Sequence, residues 1–151
     1  MKHALTAVLV TAVLGSMALG AQRSTAPVAE VFKTPTCGCC GKWVEHLRAN
    51  GFTVNVTDLP DLSQIKADGK VPPQLQSCHT ARIDGYVVEG HVPAADVKRL
   101  LKERPAIAGI AVAGMPMGSP GMEVNGIVHP YDVMTFGRDG KSSRLFASHG
   151  K

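Results

Sequence analysis

Apolar and polar positions along the chain repeat with two different periods, and the change from one to the other predicts alternating strands and helices. Residues 28–33 read as a first strand, and residues 52–56 alternate apolar and polar side chains as a second. Between them, residues 42–50 carry apolar side chains at helical spacing and end in an Asn-Gly stop signal. A short helix is expected at 62–67. This half of the chain therefore predicts the order β-α-β-α.

A β-hairpin and a longer helix are predicted next. Residues 78–83 and 86–89 flank an Asp84-Gly85 turn signal, which is typical of a hairpin. Residues 93–104 predict a helix, because a proline suits its first turn, an apolar stripe follows, and a further proline stops it. The order then becomes β-α-β-α-β-β-α, which predicts an α/β fold with a mixed sheet and helices on its faces.

The pattern changes in the last third of the chain. Residues 109–112 are apolar, and residues 114–122 form a loop rich in glycine, proline and methionine. Residues 133–136 and 144–147 flank a polar turn and predict a second hairpin. Since the chain shows no internal repeat and no separate linker, we expect a single domain over 28–148.

The first residues have the three-part pattern of a secretory signal peptide. A short basic start is followed by an apolar run and small residues suited to cleavage, so residues 1–21 are interpreted as a cleaved signal and 22–27 as a mobile lead-in. The alternative is an uncleaved membrane anchor, since the run is close to the roughly 20 residues that a span needs. Cleavage is favoured because the run is only mildly apolar. The mature protein is then expected in the periplasm, without a membrane anchor.

Charge and composition exclude one class of partner. The formal net charge is +4, and basic residues alternate with acidic residues instead of forming a block. Nucleic-acid binding favours a clustered basic face with aromatic side chains, and aromatic residues make up only 5% of this chain. No nucleic-acid partner is therefore expected.

Three of the four cysteines, Cys37, Cys39 and Cys40, fall within four residues. Thiols at this density favour redox chemistry or soft-metal binding over a structural disulfide, which would leave one thiol over. Cys37 and Cys40 have C-x-x-C spacing between a strand and a helix, the thioredoxin-like arrangement. Backbone N–H groups and the helix dipole would stabilise a thiolate there.

The fourth cysteine, Cys78, comes just before the strand of the predicted hairpin. In the thioredoxin topology the start of that strand faces the C-x-x-C turn. We therefore expect four sulfurs to converge on one site, although a free cysteine is also commonly a small buried apolar residue. Thiolates select Cu(I), zinc or iron–sulfur clusters. A closed zinc site is a further alternative, but it would leave a donor unused.

Methionine adds a second group of soft donors. Met115, Met117 and Met122 lie in the Gly/Pro-rich loop, where they predict either thioether ligands for copper or a hydrophobic lid over the cysteines.

Histidines are the remaining candidate ligands. His79 follows a cysteine directly, although neighbours on a strand point to opposite faces, and His91 precedes a helix. His46 is expected to be solvated on the exposed side of the first helix. His129 and His149 have no supporting context, and His149 lies near a terminus that is expected to be disordered.

A family resemblance extends over the mature chain. The chain resembles the CopG family of periplasmic copper-resistance proteins in the order of its motifs, which are Thr36-Cys37-Gly38-Cys39-Cys40 with Trp43, Ser77-Cys78-His79-Thr80-Ala81, Gly85-Tyr86, Glu89-Gly90-His91-Val92-Pro93 and Gly114-Met115-Pro116 with Gly118-Ser119-Pro120-Gly121-Met122. The resemblance implies a thioredoxin-like fold with a cysteine-bridged multinuclear copper site. It also implies interconversion of Cu(I) and Cu(II) in copper detoxification.

Carried over to this chain, the resemblance places copper on Cys37, Cys39, Cys40 and Cys78. It leaves open whether His79, His91 or the methionine loop also bind metal or only position the ligands. Copper ions are the expected ligand, with zinc as the alternative. Other periplasmic copper-handling proteins or an electron donor are expected partners.

Three functions follow from these patterns. The first is an exported copper-binding protein of copper resistance and homeostasis, which would be a copper oxidoreductase if it interconverts Cu(I) and Cu(II). The second is a thiol–disulfide oxidoreductase in which Cys37 attacks and Cys40 resolves. The third is a structural zinc-binding module. The number of soft donors favours the first.

Overall fold

The computed structural model describes residues 26–151. The elements in chain order are β1 (Val28–Lys33), α1 (Gly38–Ala49), β2 (Thr53–Asp58), α2 (Ser63–Asp68), a 3-10 turn (Pro73–Leu75), β3 (His79–Ile83), β4 (Tyr86–Glu89), α3 (Ala94–Glu103), β5 (Gly109–Ala111), β6 (Tyr131–Phe136) and β7 (Ser143–His149). The predicted signal peptide and most of the predicted lead-in lie outside the described residues. Within the described part of the chain, no helix has the length and apolarity to cross a bilayer.

The strands form one mixed sheet in the order β2-β1-β3-β4-β5-β6-β7. β1 pairs with β2 in parallel and with β3 antiparallel, and β3 pairs antiparallel with β4. This is the thioredoxin-like arrangement that the sequence predicted. β5 adds in parallel to β4, and the β6–β7 hairpin extends the same sheet. The predicted α/β fold with its C-terminal methionine loop and hairpin extension is confirmed.

The register between β1 and β3 determines where the site lies. Lys33, the last residue of β1, pairs with His79, the first residue of β3. The chain leaves β1 toward the cysteine cluster and enters β3 from Cys78. Antiparallel pairing therefore brings the two cysteine-bearing segments to the same end of the sheet.

Helix α1 begins four residues earlier than the sequence predicted, at Gly38 instead of Lys42. Cys37 occupies the N-cap, and Cys39 and Cys40 lie in the first turn. The apolar period starts only at Trp43, so the pattern gave no signal for this first turn. As a result, Cys39 and Cys40 lie in the first turn of α1, where the backbone N–H groups have no partner within the helix.

The other element boundaries differ by small amounts. β2 runs to Asp58, because it pairs with β1 along its whole length. α3 spans Ala94–Glu103. Its C-cap is Arg104, whose φ of 51° places it in the left-handed conformation. β7 continues to His149, where it pairs with Tyr131 of β6. The strand thus orders a segment that was expected to be disordered.

The main core lies between α1, α3 and one face of the sheet. Fully buried side chains from each meet in one cluster, among them Trp43 and Leu47 from α1, Leu100 from α3 and Ile83 from β3. The indole N–H of Trp43 donates to the Val92 carbonyl oxygen at 2.8 Å. This bond satisfies the only polar atom of a large buried side chain.

His46 is not solvated as predicted. Its Nε2 accepts a hydrogen bond from the backbone N–H of Ala94, the first residue of α3, at 3.0 Å. Helix starts leave backbone donors without intrahelical partners, and His46 on α1 supplies one acceptor. Burial lowers the pKa of His46, although Glu123 opposes this shift.

We expect His46→Leu to lower the free energy of unfolding by about 1–2 kcal/mol, because the buried Ala94 N–H loses its acceptor. His46→Gln is the matched control, since its amide oxygen can accept the same bond without titrating. The folded pKa lies below the unfolded value, so acid favours the unfolded chain. The stability that the wild type has at pH 7.5 should therefore decline as pH falls below about 6.5.

Urea denaturation of the wild type and of the His46→Gln variant at pH 7.5 and 5.0 checks this expectation. The wild type should lose more stability on acidification than the variant does. Equal losses would show that His46 is not the titrating group.

Candidate metal centre

The structure brings the four cysteines together. Cys37, Cys39 and Cys40 come from the α1 start, and Cys78 immediately precedes β3. Their sulfur atoms all lie within 4.8 Å of one another. This is the convergence expected from the sequence, and it follows from the β1–β3 register.

Two of these cysteines form a disulfide. Cys37 and Cys40 are bonded, with a Cα–Cα distance of 5.4 Å, whereas Cys39 and Cys78 carry free thiols. The Cys39 sulfur is 3.5 Å from that of Cys37. The protein is therefore in an oxidised form, and two electrons with two protons would convert it to a form with four thiols.

Cys78 also belongs to a second group of donors. Its sulfur lies 3.1 Å from Nε2 of His91 and 3.4 Å from Nδ1 of His79. The three ligand atoms lie within 4.8 Å of one another, so Cys78 is shared between a four-cysteine group and a Cys–His–His group. The two groups together form one continuous set of sulfur and imidazole donors, both of which suit copper.

The tautomer of His91 follows from its other contact. Nδ1 is 2.8 Å from the Pro120 carbonyl oxygen, which can only accept, so Nδ1 carries the proton. Nε2 then presents its lone pair to Cys78. Hydrogen bonding of one ring nitrogen to a carbonyl is the arrangement that commonly orients metal-binding histidines.

His79 reaches the site despite the alternation of side chains along a strand. β3 begins at His79, so Cys78 lies outside the strand and its side chain is free to approach the imidazole. The ring is fully buried and lies 4.4 Å from the Trp43 ring and 4.9 Å from the His91 ring, centroid to centroid. Its Nε2 has no hydrogen-bond partner among residues 26–151.

Burial keeps Cys78, His79 and His91 neutral when no metal is bound. It raises the pKa of the Cys78 thiol to about 11, and the nearby Cys39 adds to the shift. It also lowers the pKa of His91, and lowers that of His79 well below its ordinary value. A metal ion would therefore meet neutral imidazoles and would have to displace the Cys78 proton.

The methionine loop covers the start of α1. Pro120 supplies the carbonyl for His91, and a Cβ on Gly121 would lie 2.7 Å from the Cys39 carbonyl oxygen. Gly121 also has a φ of +86°, so only glycine suits this close approach. Met115 is exposed, whereas Met117 and Met122 are half-buried. Two approaches of the loop backbone, at Pro120 and Gly121, therefore place the loop against the site.

His149 and His129 lie away from the cysteines. His149, at the end of β7, stacks on Tyr131, and its Nε2 is 2.6 Å from Asp96 Oδ2 on α3. His129 bonds through its backbone N–H to the Met117 carbonyl. Neither belongs to the groups that could hold a metal ion in the described part of the chain.

Sequence reasoning missed a buried ion pair next to the site. Lys66 on α2 meets Glu89 at the end of β4, and the Glu89 side chain is fully buried. The available signal was a glutamate at the end of an otherwise buried apolar strand, directly before Gly90 and His91.

Solved structures resemble this chain along most of its length. "Copper resistance protein copG- Form 2" is 43% identical with a TM-score of 0.78, and the match covers 83% of this chain and 99% of that chain. The Form 1 structure is 44% identical with a TM-score of 0.77, covering 82% and 98%. A family model described as a protein of unknown function, DUF411, matches residues 75–122. No curated protein matches the chain.

The fold and the site define a thioredoxin-like protein with a cysteine cluster capable of binding metal. At this identity and coverage, the chain belongs to the family of copper resistance protein CopG. The resemblance stated from the sequence motifs is confirmed.

Thiol counting under denaturing conditions checks the disulfide. We expect two reactive thiols per chain in the air-oxidised protein, from Cys39 and Cys78, and four after reduction. In the native oxidised protein Cys78 should react slowly, because it is partly buried and its pKa is raised to about 11. Four thiols before reduction would contradict the Cys37–Cys40 bond.

Proposed function

We propose that this chain is an exported copper-handling protein that binds copper through Cys37, Cys39, Cys40 and Cys78 when these are reduced. The observation that carries the proposal is the approach of all four sulfurs to within 4.8 Å of one another. The relatives described as copper resistance proteins support copper as the metal. Copper would then be the cargo or substrate of the protein and not a resident cofactor.

The donor set fits copper chemically. Thiolates are soft ligands that favour Cu(I), and one thiolate can bridge two ions, so four clustered sulfurs suit a multinuclear site. His91 and His79 add imidazole nitrogens beside Cys78. Zinc could use four of these donors in a closed tetrahedral site, but the remaining ones would then have no role.

The disulfide supports a redox role. Two Cu(II) ions can each take one electron from the reduced Cys37–Cys40 pair, which gives two Cu(I) ions and the disulfide, with release of any thiol protons. An external thiol or dithiol reductant would return the two electrons and restore the four-thiol form. The cycle thus couples copper reduction to thiol oxidation in one group of atoms.

The location of this activity follows from the predicted signal peptide over 1–21. Export to the periplasm would place the cysteines in an oxidising compartment. The Cys37–Cys40 disulfide is compatible with that setting.

Cys78→Ser and Cys37→Ser should each lower the number of Cu(I) ions held per reduced chain, because each removes a bridging sulfur. His91→Gln should weaken Cu(I) binding, whereas His129→Gln should not, because His129 lies outside both donor groups. Anaerobic Cu(I) loading followed by metal and thiol analysis measures both effects. Excess Cu(I) should also raise the melting temperature of the reduced wild type.

Wild-type copper loading in both cysteine variants would contradict the assignment of these sulfurs. Stoichiometric zinc, in place of copper, in protein isolated from copper-supplied cells would favour the structural zinc module.

A second function is favoured by the same disulfide. A C-x-x-C pair at a helix start can exchange disulfides with protein substrates, with Cys37 as the attacking thiolate. Cys40 would then resolve the mixed disulfide. Its complete burial suits a resolving thiol that substrates do not reach.

Reduction of insulin by a dithiol, with and without copper, separates the two functions. The copper proposal predicts little catalysis of insulin reduction, since Cys39 and Cys78 compete for the exchanging sulfurs. Rapid, metal-independent reduction that is lost in Cys37→Ser would establish the thiol–disulfide function instead.

A further inference from the structure

A buried polar network lies on the other side of the sheet from His79. Lys66 Nζ is 2.5 Å from Glu89 Oε1 and 3.1 Å from Thr80 Oγ1. Thr80 Oγ1 in turn donates to Glu89 Oε2 at 2.6 Å. Thr80 and Glu89 are direct partners across β3 and β4, and both are fully buried.

Stability alone explains this network poorly. Removing two charges from water costs several kcal/mol per ion, and apolar replacements of a buried ion pair are often neutral or stabilising. The remaining contact of the Glu89 carboxylate indicates a second role.

Glu89 Oε1 also accepts the backbone N–H of Ser77 at 2.7 Å. Ser77 precedes β3, so its amide lies outside the strand ladder. The Ser77 hydroxyl is a further anchor, since it donates to the Gly114 carbonyl oxygen. One carboxylate thus holds the segment that enters β3, and Cys78 is the next residue along that segment.

Glu89 also lies two residues before His91, the other partner in the Cys78–His91 contact. Glu89 ends β4 and is followed by Gly90 and His91. Gly90 lies so close to Ser77 that a Cβ on Gly90 would be 2.6 Å from the Ser77 Cβ. Cys78 and His91 therefore belong to two adjacent chain segments, and Glu89 connects them at the point where both leave the sheet.

We propose that Glu89 is a positioning residue, which holds the Ser77 amide so that the Cys78 sulfur faces His91 Nε2, and that Lys66 balances its charge inside the protein. The geometric part of this inference concerns the metal-free protein, and only its copper readout rests on the proposed function.

Two charge-free variants test the positioning role. Lys66→Met/Glu89→Gln keeps an oxygen that can accept the Ser77 N–H, whereas Lys66→Met/Glu89→Leu removes it. Asp84→Asn is the control for loss of a carboxylate, because Asp84 is exposed at the far end of the same hairpin. Thermal melting establishes that each variant is folded.

Alkylation of the air-oxidised, metal-free protein gives the first readout. Cys39 and Cys78 are its free thiols, so peptide mass spectrometry yields the rate at Cys78 relative to Cys39 in the same molecule. We expect this ratio to rise by about fivefold in the Leu variant, since the Ser77 N–H loses its acceptor, and to change by less than about twofold in the Gln variant and in Asp84→Asn. An unchanged ratio in a folded Leu variant would overturn the proposal.

Hydrogen exchange of the wild type keeps the proposal testable even if the Leu variant does not fold. The Ser77 amide should exchange slowly, as an amide held by a buried acceptor does. Exchange at the rate of an unprotected loop amide would overturn the positioning role.

A double-mutant cycle gives the copper readout. Competition with a Cu(I) chelator should show binding about fivefold weaker in the Leu variant than in the Gln variant, and this difference should vanish once Cys78→Ser is added to both. A difference that persists without Cys78 would overturn positioning and show a general structural effect. A wild type that binds no copper would refute the proposed function, while the alkylation and exchange results would still decide the role of Glu89.

Discussion

The antiparallel pairing of β1 with β3 is the constraint on which the whole site depends. Lys33 opposite His79 sets the end of one strand beside the beginning of the other, so the residues that follow β1 and precede β3 must meet. Side chains on strands alternate between faces, and a slip of one residue would turn His79 away from Trp43. The hydrophobic core opposes such a slip, because Ala81 and Ile83 would leave it at the same time. Packing of the core thus fixes the geometry of the candidate metal centre.

Local signals in the sequence were sufficient for the architecture. Period, turn residues and prolines predicted the order of elements, the Asp84-Gly85 hairpin and the loop at 114–122. They could not predict contacts that form only after folding. His46 reads as a surface residue of α1 until α3 places the Ala94 N–H against it. The alternation of side chains along a strand would separate Cys78 from His79 only if both lay in β3, and β3 begins at His79. The role of the Pro120 carbonyl depends on a backbone atom, which no side-chain pattern reveals.

The site has two states that compete for the same atoms. In the oxidised form, the disulfide withdraws Cys37 and Cys40 from any metal, and the free thiols are those of Cys39 and Cys78. Reduction restores the full set of sulfurs, and a bound metal would in turn oppose disulfide formation, because each state removes the reactant of the other. Under the proposed function, copper supply and thiol redox poise would therefore be coupled through mass action, without any larger conformational change being required.

Buried imidazoles make this end of the sheet costly to fold but suitable for metal. His79 carries a buried ring nitrogen with no partner in the described part of the chain, and an unsatisfied polar atom of this kind costs about 1–3 kcal/mol. Trp43 and His91 pack against the ring and hold it in place. The same burial lowers the pKa of both histidines, so that they stay neutral and do not repel an incoming cation. A solvent-exposed histidine would not add this cost to the free energy of folding. It would, however, be protonated at a higher pH and would then have no lone pair for a metal. The low polarity of the site thus reduces stability and, for the same physical reason, keeps the nitrogen donors available.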